Sequence, residues 1–134
     1  MRNPAIRNYD VTFALAFILL TSIQLLLIVF TPLEISADEA YYWEWSRNLD
    51  WSYYSKGPII AWLILGGRAI FGETVLAVRF PALVCVSLFS VLFYVFIRRN
   101  YSPKAAFWSW LGLRSSLFIF SQGFLMTTDA PTAL

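Results

Sequence analysis

Ten consecutive residues, Ser36-Ala37-Asp38-Glu39-Ala40-Tyr41-Tyr42-Trp43-Glu44-Trp45, set two adjacent carboxylic acids among four aromatic rings. A carboxylate can accept a proton or hold a hydroxyl, and aromatic rings cover the apolar faces of sugars. Ser36 three places before Glu39 is a capping-box pattern, which predicts a helix from Ala37 with Ser36 and Glu39 as its structural cap. Asp38 then lies in the first turn, where free N–H groups and the helix dipole favour a negative charge. At 3.6 residues per turn Asp38, Tyr42, Trp45 and Leu49 share a face, with Tyr41 on its border. Asp38 is therefore the candidate catalytic acid of a sugar or phosphosugar site, with Tyr41, Tyr42 and Trp45 as substrate-binding walls. The same pattern also fits an interfacial aromatic belt with a capping acid.

Three other residues could join such a site. Asp129, in Thr128-Asp129-Ala130-Pro131, is a second candidate catalytic carboxylate; alternatively it caps a following helix. Together Asp38 and Asp129 could bind a divalent metal ion through hard oxygen ligands, or one could take a proton while the other orients the nucleophile. Lys56, in the turn-rich Tyr53-Tyr54-Ser55-Lys56-Gly57-Pro58, could meet an anionic headgroup as a point charge or anchor its segment by snorkelling. Arg79 could reach a phosphate, and Arg114 lies deep in an apolar run where ionisable residues are costly.

The elements that position these residues are apolar. Of 134 residues 59% are hydrophobic and 13% charged, against about 45–50% and about 25% in soluble domains, so the composition points to a membrane protein. The expected fold is all-α, a polytopic bundle with three full transmembrane helices and the start of a fourth. Residues 1–10 read as a polar tail and 11–30 as the first span, close to the roughly 20 residues that cross hydrocarbon. A signal peptide is the competing reading, but its apolar core would be shorter. Residues 31–73 form an external loop with most of the charge and with membrane-lying helices, including the 14-residue apolar segment 58–71. Residues 74–97 are the second span, 98–104 a basic turn, 105–126 the third span and 127–134 the opening of the fourth.

Arg2, Arg7, Arg98, Arg99 and Lys104 place the amino terminus and the 98–104 turn in the cytoplasm by the bias of short loops. Asp38 and Asp129 then share the opposite side. The sequon Asn100-Tyr101-Ser102 falls in the cytoplasmic turn and reads as chance. With no histidine and a single cysteine, Cys85, the chain supplies no zinc finger, histidine triad or disulfide framework. The net charge of +2, without a basic patch, gives no reason to expect nucleic acid. The last residues look like a helix opening, so the chain is expected to be an amino-terminal fragment, inactive by itself.

Three ordered motifs carry a family resemblance: Asp38-Glu39-Ala40-Tyr41-Tyr42-Trp43-x-Trp45, then Leu49-Asp50-Trp51-x-Tyr53-Tyr54-x-Lys56-Gly57-Pro58-Ile59-Ile60-Ala61-Trp62, then Met126-Thr127-Thr128-Asp129-Ala130-Pro131. They resemble the amino-terminal part of GT-C superfamily glycosyltransferases, in the group of protein O-mannosyltransferases and bacterial lipid A aminoarabinose transferases. The resemblance implies catalytic roles for Asp38 and Asp129 and a donor-phosphate contact for Lys56. It implies transfer of a sugar from a polyprenyl-phosphate donor to an acceptor protein or glycolipid, at a site facing the periplasm or exterior of a bacterial inner (plasma) membrane. No cofactor is certain beyond the optional divalent metal. Competing functions are a transporter or lipid-binding membrane protein, suggested by Arg79 and Arg114, and a non-catalytic membrane partner.

Overall fold

A computed structural model of the chain describes residues 4–53 and 58–127. Six helices follow one another: α1 (Pro4–Phe30), α2 (Ala37–Trp45), α3 (Ile59–Phe71), α4 (Val75–Asn100), α5 (Pro103–Ser115) and α6 (Leu117–Gln122). Two of them, over Asn8–Phe30 and Val75–Asn100, are long and apolar enough to cross a membrane.

α4 is the hub, packed against α1, α3 and α5. It runs antiparallel to α1. At one end Arg98 donates to both carboxylate oxygens of Asp10, at 2.7 and 2.6 Å, and Tyr94 donates to the same acid at 2.8 Å. One turn further, Phe13 stacks on Tyr94 with ring centroids 3.6 Å apart. α5 returns antiparallel to α4, fixed by a 2.8 Å hydrogen bond from the buried Trp110 indole to Ser90. At the opposite end of α4, α3 packs Ile60 and Ile64 against Val78 and Ala82, with Tyr42 and Met126 completing the cluster.

The α3–α4 contact depends on one glycine. Pro81, inside α4, has no N–H to give to the carbonyl of Ala77. Gly67 of α3 fills that place, so close that a Cβ there would lie 2.1 Å from the Ala77 oxygen. Only a residue without a side chain fits.

Two expectations are corrected. The residues before Val11, read as a polar tail, are helical from Pro4, a residue suited to a first turn, and Asp10 faces Arg98. Hydropathy marks where a helix meets lipid, not where it starts. The apolar run 105–126 is not one helix. It breaks at Ser116, whose extended backbone (φ −65°, ψ 128°) separates α5 from α6. Paired serines are a common kink site, and Arg114 just before them is buried, turned toward α1. There its Nη2 donates to Gln24 Oε1 at 2.5 Å, and Gln24 Nε2 donates to the carbonyl of Phe120 at 3.2 Å. Neither half is long enough to cross alone. The expected opening of a fourth helix lies outside the described residues.

Candidate functional site

The site begins at the amino terminus of α2. Ser36 Oγ accepts the Glu39 N–H at 3.3 Å and Glu39 Oε2 accepts the Ser36 N–H at 3.0 Å, so both halves of the capping box are present. Asp38 and Glu39 are neighbours on a helix, about 100° apart around its axis, and they part company. Asp38 points to solvent and makes no hydrogen bond or ion pair among the described residues. Glu39 is fully buried.

Arg79, in the second turn of α4, turns inward to meet Glu39. Its Nε and Nη2 donate to Glu39 Oε1 and Oε2, both at 3.0 Å, in a bidentate pair with each side chain 1% exposed. Nη2 also donates to the carbonyl of Glu34 at 3.0 Å, Nη1 lies 3.5 Å from that of Leu33, and the guanidinium sits over the Phe124 ring. The Met126 N–H adds a further donor to Glu39 Oε1 at 3.1 Å. Burial would push the Glu39 carboxyl up, but the hydrogen bonds from Arg79, Ser36 and Met126 outweigh it and hold the group below the usual carboxylate range. Arg79, which by sequence could reach a phosphate, gives its donors to Glu39 and to the α1–α2 linker.

The aromatic residues divide in the same way. Tyr42 is buried in the core cluster, Tyr41 is exposed, and Trp45 is half-buried and stacked on Tyr53, centroids 4.6 Å apart. Leu49 does not share their face, because α2 ends at Trp45, where Ser46 Oγ donates back to the Trp43 carbonyl at 2.6 Å. The loop beyond is folded onto Trp45 by the Tyr53 hydroxyl, which accepts the Asp50 N–H at 2.9 Å and lies 3.0 Å from the Trp45 carbonyl and 2.9 Å from that of Asn48.

A second polar knot, absent from the sequence reading, fixes the far end of α2. Glu73 accepts from Arg68, from Arg47 at 3.2 Å and from the Trp43 indole at 3.0 Å. Arg68 also donates to the carbonyl and hydroxyl of Ser46, both at 3.1 Å. These donors, Arg68 first, hold the Glu73 carboxyl below its usual range. Only the concentration of charge in residues 34–73 hinted at this knot, since Trp43 and Arg47 lie 30 and 26 residues from Glu73.

Lys56 and Asp129 lie outside the described residues. Among the described residues no three carboxylates, cysteines or histidines gather to hold a metal ion. A hard cation takes six or more oxygen ligands, and Asp38 alone does not make such a site.

The comparisons with known proteins agree with a glycosyltransferase. No solved structure matches the chain. The chain is 42% identical over 50 residues to a lipid A galacturonosyltransferase of Rhizobium johnstonii, a stretch covering 37% of this chain and 11% of that protein. The chain thus spans a small part of the relative's length. The profile of the family described as dolichyl-phosphate-mannose-protein mannosyltransferase matches residues 55–134. Since that match takes in more than half of its residues, the chain belongs to the dolichyl-phosphate-mannose-protein mannosyltransferase family.

Proposed function

We propose that the chain contributes the acid-bearing region of an integral membrane glycosyltransferase that moves a sugar from a polyprenyl phosphate to an acceptor on the non-cytoplasmic side. The observation that carries this reading is the solvent-facing Asp38 carboxylate at the start of α2, on the same turn as a Glu39 that holds the Met126 amide. Asp129, which lies outside the described residues, is the second acid of the proposed site on the family resemblance.

In the proposed reaction the bond between the anomeric carbon and the donor phosphate breaks, its electron pair leaving with the polyprenyl phosphate. An acceptor oxygen forms the new bond, and its proton passes toward Asp38. Asp129 completes the pair, Tyr41 and Trp45 flank the sugar, and Lys56 holds the leaving phosphate, stabilising the charge that develops there. Arg98 and Arg99 lie in the last turn of α4, and the bias of basic segments supports a cytoplasmic position for that end and an outer one for α2. α5 and α6 together make a third crossing. The family supports a lipid-linked donor, and the galacturonosyltransferase likeness makes a glycolipid the first acceptor to try.

The test is transfer from a panel of polyprenyl-linked sugars by the full-length protein. Asp38→Asn should abolish it, and unchanged transfer by that variant would sink the reading.

A further inference from the structure

We propose that the buried Glu39–Arg79 pair is a positioning device that holds the helix carrying Asp38 in register with α4 and with the Met126 segment. The proposal rests on the reading of Asp38 given above.

A capping box needs one oxygen of Glu39 and one N–H, that of Ser36. Here the carboxylate takes four donors from three separate places: Ser36 at the start of α2, the Nε and Nη2 of Arg79 on α4, and the Met126 amide beyond α6. All four lie at 3.0 or 3.1 Å. Glutamine could keep the cap but would turn an N–H toward the guanidinium. Arg79 in turn reaches past Glu39 to the Glu34 carbonyl, fixing the linker that enters α2. Met126 is held twice, by its amide on Glu39 and by its side chain in the cluster with Tyr42, Ile60 and Ile64. The pair is thus the point where the chain before α2, α2 itself, α4 and the Met126 segment are pinned together.

Burying a charged pair does not by itself stabilise a fold relative to well-packed apolar residues. A bidentate fork with a fixed geometry does specify orientation. An error of about 1 Å in the placement of reacting groups costs on the order of 10²-fold in rate. The pair is therefore expected to act on turnover and not on donor binding, in contrast to an arginine that touched the donor phosphate.

The experiment uses the full-length protein and the lipid-linked donor identified in the panel above, with E39Q, R79M, the double variant, E39D and R79K. Each of E39Q and R79M should lower kcat about 10²-fold with donor KM unchanged. The double variant should be no worse than the worse single one, because both changes break one unit. A raised donor KM in R79M, with its effect additive to that of E39Q, would overturn the proposal and return Arg79 to the phosphate. Where E39Q or R79M does not fold, E39D and R79K decide. Both keep their charge but displace or thin the fork, so a lower kcat at constant KM supports the proposal and an unchanged kcat overturns it. Asp38→Asn in the same series separates the two readings. Full activity there removes the site itself, whereas an inactive D38N beside fully active E39D and R79K removes only the role of the pair.

Discussion

Gly67→Ala adds one methyl group where α3 crosses α4, and the structure fixes what that group meets. Its Cβ would stand 2.1 Å from the Ala77 carbonyl oxygen, about 1.3 Å inside the 3.4 Å at which ordinary contact begins, and 3.2 Å from Pro81 Cγ. The oxygen belongs to the backbone of α4, so it cannot swing aside as a flexible side chain would. The helices must separate, loosening Ile60 and Ile64 from Val78 and Ala82. Gly66→Ala is the internal control, because a Cβ there meets nothing within 4 Å. Both changes gain the same helix propensity, up to about 1 kcal/mol, so their difference isolates the collision. Overpacking a close contact costs about 1–3 kcal/mol, and Gly67→Ala should be less stable than Gly66→Ala by that amount. The assay is the unfolding midpoint of the two variants in the same detergent micelle. Equal midpoints would refute the close crossing, and with it the argument that Pro81 leaves the Ala77 carbonyl for α3 to approach.

Gln24→Leu should destabilise the protein by leaving the buried Arg114 charge without its Gln24 acceptor, and Arg114→Leu should cost about 1–3 kcal/mol by stranding a neutral amide oxygen. The double variant should be no worse than Gln24→Leu alone; a denaturation cycle on the four proteins checks it. Glu39 has a folded-state pKa held below its ordinary 4.5, so its contribution to stability is complete above that value and is lost as pH falls through the lower folded value. Acid unfolding of the wild type should therefore steepen below about pH 4.5, and E39Q should lack that component. Tyr53→Phe removes the hydroxyl that bonds the Asp50 amide. It should cost about 1 kcal/mol and speed hydrogen exchange across residues 46–53 with little change in α4.

The helical class, the two long spans and the start of α2 were legible in the sequence, each for a local reason. Uninterrupted apolar runs announce α1 and α4, and a serine three residues before a glutamate announces α2. What was not legible depends on distant partners. Ser116 breaks the third apolar run beside an Arg114 that turns to Gln24, 90 residues earlier, and hydropathy cannot see that pairing. Arg79 reads as an outward cation at the edge of a span until Glu39, 40 residues before it, is placed opposite. In the candidate site, spacing alone put Asp38, Tyr42 and Trp45 on one face, but burial sorted them. Tyr42 belongs to the core and Tyr41 to the surface, a distinction that depends on where α3 and α4 lie.

The pairing of Arg79 also redistributes charge in the proposed reaction. Four cations lie on the chain between α2 and the second turn of α4: Arg47, Lys56, Arg68 and Arg79. Arg47 and Arg68 meet Glu73, and Arg79 meets Glu39. The Arg47–Arg68–Glu73 cluster keeps one unbalanced positive charge, whereas Arg79 is neutralised by Glu39 and does little to offset the charge of a leaving phosphate. Of these cations the proposed function assigns Lys56 to the donor. Lys56→Gln should accordingly raise donor KM with the Glu39–Arg79 geometry intact, while R79M lowers kcat and leaves KM alone. An unchanged KM in Lys56→Gln would refute that role for Lys56.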